Sequence, residues 1–326
     1  WNGTSPAGAV VFAGLPREVR RAIEAELAGP GLDLEGAATL AALLEHQVHQ
    51  QQTERLRSIY AMAGLPQSGS SELPAVLHAM ELYATSYVLG ESPSATNRTE
   101  LQRSLDSMDE IYPNWPFVQR SLRAAVQVQV VGSSVEFEGA LRVVRQMTDE
   151  FSKWQEPACR AMKGTLVAME DRGTGRVPLA DFYTKALHEG KWQFSESVPY
   201  LRQLGALDES NPRYLRVIIP NYVHGASNCL AASDSLSICC VSECEGILSG
   251  LESSLGAPEA PAAAVAEQVS KLPSSTVPAG RSLSSVMLHR LNAIAAQHGG
   301  QVPLHGRLFA QWLHHAYPRE CPYPHR

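Results

Sequence analysis

The residues best suited to chemistry gather towards the end of the chain, where His289, His298, His305, His314, His315 and His325 stand together with Cys321. Imidazole nitrogen and thiolate sulfur are the natural ligands of zinc and copper. His305, His314, Cys321 and His325 are therefore the candidate ligands of a C-terminal metal cluster. Their spacing is unfavourable, because no His-Glu-x-x-His or Cys-x-x-Cys pair occurs and the adjacent His314 and His315 leave a helix in different directions. Glu45, His46 and His49 offer a second set on one helical face, but the neighbouring Gln50-Gln51-Gln52-Thr53-Glu54 reads as solvated surface. Six cysteines are present: Cys159, Cys229, Cys239, Cys240, Cys244 and Cys321. An even number permits a framework of three disulfides, whose connectivity the sequence leaves open, and buried free thiols are the alternative. The run Cys239-Cys240-Val241-Ser242-Glu243-Cys244 has neither the Cys-x-x-Cys spacing nor the adjacent basic residue that would activate a thiol.

A different chemistry is suggested by the oxygen-bearing loop Glu170–Asp181. A glycine, Gly175, stands where a sharp turn is needed, a β-branched Val177 follows two residues later, and acids open and close the segment at Glu170 and Asp181. Met162, Leu166 and Met169 precede it at helical spacing; Phe182 and Leu187 follow. This pattern resembles the EF-hand family, in which Gly at position 6 makes the turn and oxygens at positions 1, 3, 5, 7, 9 and 12 bind calcium. The resemblance implies a helix–loop–helix but a poor metal site: Arg172 stands at position 3, Thr174 at position 5 and Pro178 at position 9. Glu170 and Asp181 remain only as weak candidate calcium ligands.

EF-hands work in pairs, and Asp208–Ile219 supplies a partner loop, with Asp208 and Ser210 at positions 1 and 3 and Leu215 at position 8. A third copy is suggested by Gly300-Gln-Val-Pro-Leu304, which repeats Gly175-Arg-Val-Pro-Leu179 with one substitution. The segment from Val302 to His325 is also similar to uncharacterised proteins of marine protists such as dinoflagellates, a likeness that implies no activity.

Helical signals dominate the elements that must position these residues. Asp33 caps a long helix through Leu40, Leu43, Leu44, Leu56, Ile59 and Tyr60, which Gly64 ends. Further helices are expected over 71–89, 99–111, 117–131 and 134–154; Pro16 opens one near the start. The expected fold class is all-α: a helical bundle over 1–155, an EF-hand-like pair with a cysteine-rich helix over 156–254, a linker over 255–280 rich in Ala, Pro and Ser, and a C-terminal helix–loop–helix and tail over 281–326. Trp154, Trp192, Phe194 and Trp312 are expected to fill cores near the helix–loop–helix elements.

The composition, 44% hydrophobic and 18% charged, is that of a globular chain. A net charge of −6 without a basic stripe argues against nucleic acid, and no apolar run is long enough to span a membrane. Gly69-Ser-Ser and Gly132-Ser-Ser read as helix boundaries, not phosphate cradles, and no nucleophile elbow, dinucleotide fingerprint or kinase signature appears. Asn2 and Asn97 head glycosylation sequons. With the cysteines, and with a chain that opens on Trp1 as a processed or excised chain would, they favour a secreted or lumenal location. The expected function is a structural or protein-interaction scaffold built on calcium-independent EF-hand-like modules, without cofactor and leaning away from catalysis. The alternatives are a metal-binding protein or enzyme using the C-terminal His/Cys cluster, and a secreted glycoprotein of a surface assembly.

Overall fold

The computed structural model describes residue 21 and residues 34–91, 97–112, 115–131, 133–189, 194–231 and 237–324. The helix expected near Pro16, the sequon at Asn2, His325 and Trp192 lie outside them, as does the Trp154 side chain. The protein is mostly helical, with strands of two or three residues.

Helix α1 (Leu34–Ala63) ends at Gly64, whose φ of 73° suits glycine. Strand β1 (Ser70–Glu72) runs directly into α2 (Leu73–Val88), which has a proline in its first turn. Helices α3 (Arg98–Asp106), α4 (Met108–Ile111) and α5 (Trp115–Val128) follow. The alternating valines end α5 as a helix: Val126 is buried while Val128 is 81% exposed. Strand β2 (Ser134–Glu136) then leads into α6 (Phe137–Ala168), a continuous helix with Pro157 inside it. A break near Trp154 was expected, and none occurs. Strand β3 (Arg176–Pro178) leads into α7 (Leu179–Glu189). Next come α8 (Val198–Gln203), β4 (Leu207–Asp208), β5 (Arg216–Ile218) and α9 (Ile219–Val223). A hairpin of β6 (Leu230–Ala231) and β7 (Ser237–Ile238) is followed by α10 (Glu243–Leu255). Strand β8 (Glu259–Pro261), α11 (Ala262–Lys271), α12 (Ser285–Gln297), β9 (Gln301–Pro303) and α13 (Arg307–Ala316) complete the chain.

One device recurs three times. A short strand that opens a helix pairs antiparallel with another of its kind: β1 with β2, β3 with β5, and β8 with β9. The middle residues face each other in each ribbon, Ser71 with Val135, Val177 with Val217 and Ala260 with Val302, and all six are buried. In each, the residue two beyond the middle donates its N–H to the carbonyl two before the partner's middle: Leu73 to Ser133, Leu179 to Leu215 and Leu304 to Pro258. Gly69, Gly175 and Gly300 stand two residues before three of those middles, all with positive φ. The serine-flanked glycine read as a helix boundary at Gly69 thus makes the turn before the β1–β2 ribbon.

Two expectations need correction here. Val217, not Leu215, is the ribbon partner of Val177; Leu215 supplies the carbonyl that Leu179 uses. The stretch 255–280 is no linker, since it carries β8, the partner of the Gly300 copy, and α11, whose Val265 and Val269 are fully buried.

The chain forms two compact units, one of residues up to Gln155 with Leu230–Ile238, the other of Glu156–Cys229 with Cys239–Arg326. The first has a core built on Ile59, Tyr60, Tyr83, Trp115 and Phe151. The second has two, one on Val177, Phe182, Phe194 and Tyr222, the other on Leu251, Val302, Phe309, Trp312 and Tyr317. Phe194 and Trp312 thus fill cores as expected.

All six cysteines are paired, as Cys159–Cys240, Cys229–Cys239 and Cys244–Cys321. Closing a loop lowers the entropy of the unfolded chain by an amount that grows with the logarithm of its length. The bridges at separations of 77 and 81 should therefore contribute about 4.5 kcal/mol each, and the one at separation 10 about 3 kcal/mol. Urea unfolding of paired Cys→Ser variants should show the Cys244/Cys321 pair losing more stability than the Cys229/Cys239 pair.

Candidate functional site

The loop from Glu170 to Gly175 is the best-built polar site in the second unit, and it holds a cation supplied by the chain itself. Helix α6 ends at Ala168 and leaves Glu170 facing inward, its side chain only 5% exposed. The Arg319 guanidinium meets it in a forked pair, Nε to Oε2 at 2.8 Å and Nη2 to Oε1 at 2.5 Å. Such bidentate pairs are among the strongest side-chain hydrogen bonds. The loop is shaped to admit the tail that carries Arg319. Gly175 has a φ of 69°, and a Cβ there would stand 1.9 Å from the Pro318 carbonyl oxygen. Arg172, at the degenerate ligand position, is 91% exposed and lies 3.6 Å from the Asp171 carboxylate. Asp181 is exposed in the first turn of α7 and does not join Glu170.

The partner loop repeats the solution. Asp208 Oδ2 accepts from Arg176 Nε at 2.7 Å and from Arg216 Nη2 at 2.8 Å, while Oδ1 accepts from the Ser210 N–H. Burial raises the Asp208 carboxyl, but the Ser210 hydrogen bonds and the two guanidiniums outweigh it and hold the group below the usual carboxylate range.

The tail 317–323 is fixed along its length. The single Tyr317 hydroxyl proton is shared between the carbonyls of Val269 and Leu272, at 3.0 and 2.9 Å from Oη. Glu320, 1% exposed, receives Lys163 Nζ at 3.3 Å and the hydroxyls of Ser275 and Thr276 at 3.3 and 2.6 Å. Lys163 Nζ also pairs with Glu243. The Asn221 amide clamps the backbone of Tyr323, donating to its carbonyl and accepting from its N–H, each at 2.8 Å. A side-chain amide used in both senses imitates a neighbouring strand.

Of the C-terminal ligands expected for zinc or copper, the described His305, His314 and Cys321 are not brought together. The Cys321 sulfur is bonded to Cys244. His314 is fully buried, and its Nδ1 donates to the Cys321 carbonyl at 2.7 Å. His305 sits outside that arrangement, with Nε2 2.5 Å from Glu252. His298 Nδ1 meets the carbonyl of Ile294. Among the described residues no group of three or more His, Cys, Asp or Glu is placed to hold a metal ion. Asn97 is exposed and caps α3, its side-chain oxygen accepting from the Glu100 N–H at 2.9 Å. The residues that organise the site, Arg319, Arg176, Arg216, Lys163, Glu320 and Asn221, carried no local sequence signal, since each acts on a partner distant in the chain or in a different element.

Beside these loops lies an open cleft of about 900 Å³, lined by β3–β5, by the outer face of α13 and by the tail at Pro318 and Tyr323.

Two tests address this geometry. Gly173 has a φ of 72° but would place a Cβ no nearer than 3.7 Å from any neighbour, so Gly173→Ala should cost only the left-handed strain, about 1–2 kcal/mol. Gly175→Ala adds displacement of Pro318 and should cost clearly more in urea unfolding. Burial, the largest influence, lowers His314 from an ordinary 6.5 to about 4. The unfolded chain therefore binds the proton more tightly. Stability should be complete above pH 6.5 and fall as pH drops towards 4, by roughly 3 kcal/mol for this group. His314→Asn, which keeps a donor near Nδ1, should flatten that slope.

Comparison with known proteins finds no matching family model, no matching curated protein and no matching solved structure.

Proposed function

We propose that this protein is a structural, protein-interaction scaffold whose EF-hand-like helix pairs work without calcium. The observation that carries the reading is the Arg319 guanidinium in the Glu170 loop, matched by the two guanidiniums on Asp208. An EF-hand loop gathers oxygens that repel one another until a cation arrives, so ion binding can drive the helices apart. Here the lead acids of both loops of the central pair are neutralised by arginines of the same chain. The helices then have no ion to wait for, and the pair is suited to holding one arrangement and presenting its surface to a protein partner. The three ribbons with equivalent register support an EF-hand-like repeat beyond the copies visible in sequence.

Three disulfides, and the lack among the described residues of any helix long and apolar enough to cross a membrane, are compatible with a secreted or lumenal protein. Disulfides of this kind persist in oxidising compartments. The exposed Asn97 leaves its amide nitrogen available for a glycan, and mass spectrometry of the native protein tests that directly.

Titration calorimetry with calcium is the decisive measurement. The expected result is no uptake at micromolar calcium, in the wild type and in Arg319→Gln alike, because the loop offers too few oxygens even when the guanidinium is removed. Arg319→Gln should instead destabilise the fold by about 2–3 kcal/mol, since it leaves Glu170 buried without its cation. Micromolar binding that disappears in Asp181→Ala would overturn the reading.

A further inference from the structure

The cleft beside the paired loops has an electrostatic character that the scaffold role does not use. Its wall on β3–β5 carries Arg176 and Arg216, and its wall on α13 carries Arg307, Gln311 and His315, spaced four residues apart on one helical face. Asp208 and Glu209 are the acids of the lining. Glu209 is already held in a forked pair by Arg202, at 2.9 and 2.6 Å. That leaves three guanidiniums facing one carboxylate.

The disposition of the guanidiniums matters as much as their number. Arg176 and Arg216 converge on a single oxygen, Asp208 Oδ2, at 2.7 and 2.8 Å. Each therefore uses only part of its five-donor fork there. Arg176 Nη1 donates to the Thr174 carbonyl at 3.0 Å, and Arg216 Nη2 reaches Ser210 Oγ at 3.5 Å. Arg216 Nε is buried without an acceptor among the described residues. Arg307 is exposed and has no carboxylate partner among the described residues. Nearby His315 is exposed at the surface, and partial burial of its ring together with the charges of Arg176 and Arg290 holds it below its ordinary pKa. Tyr323, at the cleft's edge, is fixed by the Asn221 clamp on its backbone.

We infer that this cleft binds a small molecule bearing a phosphate or sulfate group, its oxyanion held between Arg307 on α13 and the Arg176–Arg216 pair on the sheet. Guanidinium forks match tetrahedral oxyanions, and a cleft of about 900 Å³ falls within the size range of small-ligand sites. The Asp208 carboxylate is the internal competitor for two of the three cations and sets the affinity. No bond is made or broken; the site is one of recognition.

Titration calorimetry of the full chain tests the inference, with inorganic pyrophosphate and glucose 6-phosphate as separate probes and sodium chloride holding ionic strength constant. At least one probe should bind with a Kd below about 1 mM. Arg307→Gln, a change at an exposed residue without a carboxylate partner among the described residues, should weaken binding about fivefold or more. Asp208→Asn should tighten it, because it releases two guanidiniums, a direction that mere damage to the fold would not produce. Tighter binding of the sugar phosphate would identify an organic ester as the ligand type, and tighter binding of pyrophosphate a free polyanion. Absence of binding by both probes would overturn the inference, as would an affinity unmoved by Arg307→Gln.

Discussion

A loop that bends back on itself to collect carboxylates and carbonyl oxygens sets like partial charges against one another, and a positive charge among them relieves that repulsion. Most of the geometry in the second unit can be understood from how that charge is supplied. A metal ion is the usual solution to such crowding, and its binding depends on concentration and charge competition. Here the charge is covalent. Arg319 sits on Glu170, and Arg176 with Arg216 sits on Asp208. A guanidinium is always protonated and cannot diffuse away, so the loops are neutralised as soon as the chain folds. Buried ion pairs add little over well-packed apolar groups, yet losing one partner is expensive. Each acid nonetheless ties together the elements that carry its arginines, the tail to the first loop and strands β3 and β5 to β4.

The cation for the first loop comes from 149 residues away, and that distance shapes the rest of the unit. To deliver Arg319, the tail must cross the loop at Gly175, where its Pro318 carbonyl leaves no room for a Cβ. The same few residues carry Tyr317, whose ring lies in the core built on Leu251, Val302 and Phe309, and Cys321, bonded to Cys244 at the start of α10. Glu320 reaches Lys163 on α6. The central and C-terminal helix pairs are thus joined through one short segment by an ion pair, a buried acid–lysine–hydroxyl network, a disulfide and a backbone clamp. Networks of this sort are worth more intact than the sum of their links, because each partner removed leaves a desolvated group behind.

Legibility in the sequence followed the strength of the local signal. Gly175 with Val177, and Gly300 with Val302, were readable because a glycine that must take positive φ precedes a β-branched residue at a fixed interval. Ala260 was not readable. It occupies the same ribbon centre, but a small side chain in an Ala- and Pro-rich stretch looks like a connector, and only its partner Val302 explains its burial. Ser71 was hidden for a related reason: a hydroxyl between two other polar residues reads as a helix boundary. Taking Leu215 as the anchor of the second loop sets its register two residues early, because no glycine marks the turn and Leu215 is the nearest apolar residue, whereas Val217 faces Val177. The all-α class was legible from helical periodicity throughout. The histidine and cysteine cluster misled because residue type suggested ligands, while folding consumed the Cys321 sulfur in a bridge and turned His314 inward to cap the Cys321 carbonyl.

Arginine was the residue most easily misjudged. Arg172, inside the loop, looked like the charge that ruins a calcium site, but it points into solvent and closes nothing. The cations that do the neutralising lie on the two facing strands of the paired ribbon and on the distant tail, positions no local pattern reveals. Their number also exceeds what the acids require. Once Arg176 and Arg216 share Asp208 and Arg319 is spent on Glu170, the adjacent face of α13 still contributes Arg307 without a partner among the described residues. A surplus of positive charge in a chain whose net charge is −6 is not the average field of the molecule. It is a local consequence of building charge neutralisation into the loops with side chains that each carry more donors than one carboxylate can accept.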